Sequence, residues 1–176
     1  MINNKYSIYT QLKNLNPNWN SNSRIYGQAV EDWVIENYRC NCGSFFEGLT
    51  ANSKSIDGTC KSCYKKIQIK SSSHRFKPNR QNNLKILGAE YKTTLNSIIE
   101  SEWDLILISY CKSKNTIIQI LRINSHYINK HCVLPRKPLS NTARRAGWQG
   151  CYLIFNWKNV SDIYLENKSI KFKNRF

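Results

Sequence analysis

Apolar residues fall into short runs separated by polar stretches rich in Asn, Lys and Ser. In "GQAVEDWVIENY" (Gly27 to Tyr38) the spacing is helical. Ala29, Trp33 and Ile35 with Tyr38 approximate one buried face, and Glu31, Asp32 and Glu36 fall largely elsewhere. "KKIQIKS" alternates, which predicts a strand with Ile67 and Ile69 on one face. Gln68 and Lys70 then share the opposite face, because strand side chains repeat every two residues. "FKPNRQNNLK" (Phe76 to Lys85) reads as a basic polar loop, and "AEYKTTLNSIIESE" as a helix. "DLILISYC" (Asp104 to Cys111) is nearly continuous in apolar character, as expected of a strand covered on both faces. "NTIIQILRI" (Asn115 to Ile123) and "CYLIFNW" predict two more strands, with the basic loop "LPRKPLSNTARRAGWQG" between them. The tail, "DIYLENKSIKFKNRF", predicts a short hairpin. Helices flanking a central mixed sheet place the chain in the α/β or α+β class.

Length sharpens this to one domain over residues 1–176, since two full cores would be cramped. Residues 1–23 are polar and are expected to be loosely ordered. The formal charge of +16 favours a polyanionic partner, nucleic acid or an anionic membrane; the alternative is a merely soluble basic protein. No apolar run is long enough to span a bilayer, and the N-terminus lacks the apolar segment of a secretory signal.

One stretch, "SIDGTCKSCYKKIQIKSSS" (Ser55 to Ser73), carries two candidate metal sites. Asp57 is followed after ten residues by Gln68-Ile69-Lys70. Hydrolysis of a phosphodiester uses a divalent metal to neutralise phosphate charge and acidify a water. Mg²⁺ takes oxygen ligands and few of them from protein. An Asp on one strand, an oxygen-bearing side chain on the next, and a Lys two residues further on fit that chemistry. Gln68 coordinates through a neutral carbonyl oxygen, and Glu31 or Asp32 on the preceding helix can supply the charge it lacks. A solvated strand face is the competing reading of the same spacing.

The second candidate is Cys60-Lys61-Ser62-Cys63, whose spacing suits half a zinc site, with Cys40 and Cys42 as the other half. Four thiolates leave no open position, so such an ion is structural. Cys111, Cys132 and Cys151 lie in or beside apolar runs and read as buried thiols. In the basic loop, Arg136, Lys137, Arg144 and Arg145 suit phosphates or guanine edges. Trp148 suits either stacking on a base or packing into the core.

The segment "RKPLSNTARRAGWQGC" closely resembles one in the DpnI-type restriction endonucleases and the related Dam-replacing nucleases. The similarity continues in order through "RIYGQAVEDWV", "CNCG", "DGTCKSCYKKIQIKS" and "GAEYKTTLNSIIESEWDLILISY", over roughly residues 24 to 155. The resemblance implies a PD-(D/E)XK restriction-endonuclease-like core with an inserted structural zinc site (residues 40–63) and a DNA-contact loop (135–150). Residue by residue, Asp57 matches the metal-binding Asp, Gln68 the family's Glu, and Lys70 its Lys. Cys42, Cys60 and Cys63 match zinc ligands; Arg39 stands at the family's remaining Cys position, with Cys40 displaced by one. The DpnI type also carries a C-terminal winged-helix domain that reads methylated adenine. No counterpart is expected after the tail here, so neither methyl dependence nor the GATC target is carried over.

The resulting expectation is a Mg²⁺-dependent type II restriction endonuclease of the prokaryotic cytoplasm, cutting both strands of double-stranded DNA as a homodimer, with a partner methyltransferase in the same system. Asp57 and Gln68 bind Mg²⁺, with Glu31 acting through water, and Lys70 positions the nucleophile. Cys40, Cys42, Cys60 and Cys63 bind Zn²⁺. Arg136, Lys137, Arg144, Arg145 and Trp148 contact DNA. The competing readings are a non-catalytic zinc-stabilised DNA-binding module, which Gln68 favours, and a structure-selective repair nuclease.

Overall fold

The computed structural model describes residues 23–48, 56–111 and 116–163. Helix α1 (Ser23–Asn37) leads into a six-stranded sheet. Its strands are β1 (Phe46–Gly48), β2 (Gly58–Cys60), β3 (Lys66–Ser72), β5 (Trp103–Cys111), β6 (Thr116–Ile123) and β9 (Val160–Asp162), and they lie side by side in that order. β3 and β5 run parallel and the other neighbours antiparallel, so the sheet is mixed. The chain passes between the two parallel strands through β4 (Asn83–Glu90) and helix α2 (Tyr91–Glu100). β4 joins β8 (Gly150–Asn156) and β7 (Val133–Pro135) in a second, antiparallel sheet.

Two cores follow from the alternation along β3, β5 and β6. On one face of the large sheet, Val30, Val34 and Tyr38 of α1 and the residue after it pack on Ile67, Ile69, Ile106, Ile108 and Ile120. On the other, Leu105, Leu107, Leu121 and Ile123 meet Leu84, Ile86, Leu153 and Phe155 of the second sheet, with Leu95 and Ile98 of α2 against them. β5 is buried from Trp103 to Tyr110, as its nearly continuous apolar run requires, with Asp104 and Ser109 the polar exceptions. The mixed α+β architecture, α1, α2, β3, β5, β6 and β8 all agree with the sequence reading.

Three details correct that reading. Of the face read as Ala29, Trp33, Ile35 and Tyr38, Tyr38 is buried and Trp33 and Ile35 are partly buried, while the Ala29 side chain lies outside the described ones; Val30 and Val34, spaced by four from Tyr38, complete the buried line, so the face is rotated toward them. The basic stretch from Phe76 ends in a strand, because β4 starts at Asn83 and buries Leu84 and Ile86. β1, β2 and β7 are three residues each; the cysteine-rich region that holds the first two shows no period of its own, and β7 reaches into the stretch read as a basic loop. The tail hairpin falls almost wholly outside the described residues.

Polar groups buried in the sheet find partners. The Asp104 carboxylate accepts from Arg122 Nε at 2.9 Å and Ser125 N at 2.9 Å, and pairs with Lys65 Nζ at 3.2 Å. Arg122 also reaches the Asn41 side-chain oxygen at 2.5 Å, tying the sheet to the cysteine-bearing turn. A buried charge without such partners would cost several kcal/mol, on the order of 3–5.

Candidate active site and cysteine cluster

The four cysteines meet where two tight turns face each other. Gly43, at φ +85°, lets the chain reverse after Cys40, and Gly43 N donates to Cys40 O at 2.8 Å. The opposing turn closes with Tyr64 N donating to Cys60 O at 3.1 Å, and Tyr64 takes φ 59°. Pairing of Phe46 with Cys60, and Lys61 N on Phe45 O at 3.1 Å, joins the turns. The Sγ atoms of Cys40, Cys42, Cys60 and Cys63 all lie within 4.8 Å of one another. Cys40 and Cys63 are 3.5 Å apart, and Cys42 and Cys60 3.4 Å. A tetrahedral zinc with Zn–S bonds of about 2.3 Å holds its sulfurs about 3.8 Å apart, so the set fits the ion. The single spacer between Cys40 and Cys42 is absorbed by the Gly43 turn, and Arg39 instead lays its guanidinium 4.2 Å from the Phe45 ring centre.

The thiols differ in their surroundings. Burial pushes Cys40 up to about 12. Burial pushes Cys60 the same way but is outweighed by the backbone N–H groups of Cys63 and Ser62 and the thiols of Cys42 and Cys63, which bring it down to about 6. Cys132 and Cys151 are buried in the second core, where burial raises both.

The second candidate site forms where β2 begins, opposite Ile67, beyond which it no longer covers the edge of β3. Asp57 N donates to Ile67 O at 2.9 Å, the last backbone bond of that pairing on this side. The next outward N–H of β3, on Ile69, is taken by Asp57 Oδ2 at 2.6 Å. The side chain thus replaces a missing strand, and its position is set by backbone. Gln68 and Lys70 lie on the face of β3 opposite Ile67 and Ile69; Gln68 is buried and Lys70 half-buried.

Glu31 enters from α1. Its carboxyl is pushed up to about 7, first by burial and then by the charge of Asp57, with Lys70 opposing and Asp32 adding. Asp57 is likewise raised by burial, against the Ile69 N–H and Lys70. Two carboxylates and one ammonium therefore share one electrostatic environment, with more negative charge than Lys70 offsets. A sign follows for stability. Between about pH 4.5 and 7 the folded state holds a proton on Glu31 that the unfolded state releases, so stability falls as pH rises through that window. In zinc-loaded protein without Mg²⁺, the melting temperature of the parent should drop between about pH 5 and 8. Glu31→Gln should flatten that drop; equal slopes would show that the Glu31 carboxyl is not raised in the folded protein.

The basic loop joins β7 to β8. Arg136, Lys137, Arg144 and Arg145 are exposed and Trp148 is half-buried. The Trp148 ring lies across Gly150, where a Cβ would come within 2.9 Å of it. The Arg145 guanidinium is 5.3 Å from the Trp148 ring centre, and that of Arg136 is 5.3 Å from the Tyr152 ring, which Lys85 Nζ approaches at 3.9 Å. Cys151, at the root of the loop, is raised by burial, with the charge of Lys70 opposing. Trp148 is thus held by its own loop as a platform for Arg145. Asp104 and Arg122, which anchor the Cys40–Gly43 turn, read in the sequence only as parts of strands; an acid opening an apolar run is the available signal.

Among the described residues no helix is long and apolar enough to cross a membrane. A profile of the family described as DpnI, Dam-replacing, matches residues 8–172.

Proposed function

This chain belongs to the DpnI, Dam-replacing family, a restriction-type nuclease family with DNA as substrate, and on that premise we propose that it is a site-specific, Mg²⁺-dependent endonuclease cutting both strands of double-stranded DNA. Asp57, Gln68 and Lys70 would form its PD-(D/E)XK centre. The observation that carries this reading is the convergence of Glu31, Asp57 and Lys70 at the point where β2 begins. Two half-buried carboxyls, both held above their usual range beside one lysine, are what a cation site would relieve.

The donors we assign suit a hard cation: the second Asp57 oxygen, the Gln68 amide oxygen, and Glu31 through water. Mg²⁺, when bound there, neutralises phosphate charge and lowers the pKa of a water. Asp57 keeps one oxygen on the Ile69 N–H, which fixes its orientation. Lys70 donates to the attacking water and offsets charge on the phosphate. Arg136, Lys137, Arg144 and Arg145 hold the DNA backbone or read guanine edges. Two copies, one per strand, give the double-strand cut, and a methyltransferase of the same specificity would protect host DNA. The cysteine cluster, loaded with zinc, fixes the turn before β3 without touching this centre.

Gln68 favours one rival, a DNA-binding module without cleavage, because a neutral ligand weakens the cation. A Gln68→Glu variant discriminates. One added charge about 4 Å from a divalent ion is worth about 2 kcal/mol even at the dielectric of water. The Mg²⁺ concentration at half-maximal cleavage should fall by about tenfold or more. No cleavage by either protein would favour the binding module. Sequencing of the cut ends tests site specificity: one recurring sequence supports restriction, and cuts confined to branched or mismatched DNA support a structure-selective nuclease.

A further inference from the structure

The segment that follows β3 carries His74, Arg75, Lys77 and Arg80, all exposed. No acidic residue occurs between Asp57 and Glu90. An unopposed basic loop normally wanders, yet this one is fastened to the sheet by two polar side chains buried among apolar strands. Ser109 of β5 is 0% exposed and Gln119 of β6 is 7% exposed. They sit opposite each other across the β5–β6 ladder. The Gln119 amide grips the backbone of Phe76 at both ends: Oε1 accepts from Phe76 N at 2.9 Å and Nε2 donates to Phe76 O at 3.1 Å. The Ser109 hydroxyl donates to His74 O at 2.9 Å. Phe76 packs against the second core, which leaves its neighbours Arg75 and Lys77 outside. Beyond them, the Asn79 side chain accepts from Gln81 N at 2.9 Å and Asn83 N at 3.0 Å, so Arg80 rides on a closed turn.

Burying a serine and a glutamine in a strand pair is costly unless they are hydrogen-bonded, and the partners they find are the backbone groups of His74 and Phe76. What they hold is a row of cations with a fixed backbone. Fixing it beforehand lowers the ordering cost of binding. At about 3.3 Å per residue, Arg75 lies no more than about 17 Å from Lys70 along the chain. That is the axial rise of about five nucleotides.

Resting on the nuclease reading, we infer that residues 74–80 form a phosphate-backbone clamp for DNA flanking the scissile bond, with Arg75, Lys77 and Arg80 as its contacts and Ser109 and Gln119 as positioning residues. Full-length protein binding a fluorescent duplex in Ca²⁺, across a salt series, tests this. Every phosphate the protein no longer neutralises reduces the slope of log K against log salt by about 0.9. The triple variant Arg75→Ala/Lys77→Ala/Arg80→Ala should therefore flatten the slope by about 2.7. The charge-matched variant Lys92→Ala/Lys130→Ala/Lys158→Ala should leave it nearly unchanged. Gln119→Met keeps every cation but frees Phe76; it should weaken binding about tenfold in the parent background and have little effect in the triple variant. Equal slope changes in the two triple variants would overturn the clamp. An equal effect of Gln119→Met in both backgrounds would overturn its positioning role. Absence of DNA binding by the parent would instead count against the nuclease reading itself.

Discussion

Cys42→Ser is expected to unfold the protein or lower its melting temperature severely, although Cys42 is exposed and its thiol contributes little packing. An exposed Cys-to-Ser change ordinarily costs within about 0.5 kcal/mol. Here it would remove one of four ligands whose sulfurs converge within 4.8 Å. A structural zinc contributes on the order of 10–16 kcal/mol, against a net stability of about 5–15 kcal/mol for a domain. The cluster also holds β1, β2 and the end of α1 together: Phe46 stacks on Tyr38 at 5.7 Å and pairs with Cys60. Circular dichroism melts of the parent, the parent with a strong chelator, and the variant, alongside a metal assay, check this. One zinc per chain and loss of structure on chelation are the expected results. A variant that melts like its parent would show that the thiols stand without an ion.

Asp57→Asn and Lys70→Ala should each abolish cleavage for practical purposes, lowering the rate by about 10²–10⁴ or more. Asparagine keeps an acceptor for the Ile69 N–H, so the site's backbone geometry survives while the charge goes. Because burial raises the Asp57 carboxyl, removing that charge should also make the metal-free protein slightly more stable. A variant that is more stable and inactive is the mark of a functional charge held at a cost to folding. Rates from single-turnover digestion, paired with melts, give both readouts. Parent-like cutting by both variants would move the chemistry elsewhere.

Much of the fold is legible in the pattern of residues. The alternation of Ile67-Gln68-Ile69-Lys70 sets both the strand and the face of its polar pair, and the apolar run from Leu105 to Ile108 announces a central strand. What is not legible depends on long-range pairing. β4 hides behind an Asn-rich stretch, and its strand character comes from β8, whose partner for Leu84 is Phe155. β1, β2 and β7 are too short to show a period. In α1 the line Val30, Val34 and Tyr38 is obscured because Trp33 and Ile35 are larger and draw the face toward themselves. Cys40 looks misplaced by one residue because spacing alone ignores the Gly43 turn. Ser109 and Gln119 are invisible inside apolar runs, since only the fold shows what they hold.

Cleavage of DNA by the site around Asp57, Gln68 and Lys70, with a divalent cation, is most directly measured by digesting supercoiled plasmid with the purified, zinc-loaded protein over a Mg²⁺ series. Discrete linear fragments should appear with Mg²⁺ and not in its absence. Plasmid that is retarded in the gel yet remains uncut at every concentration of Mg²⁺ and Mn²⁺ would contradict a catalytic role for that site.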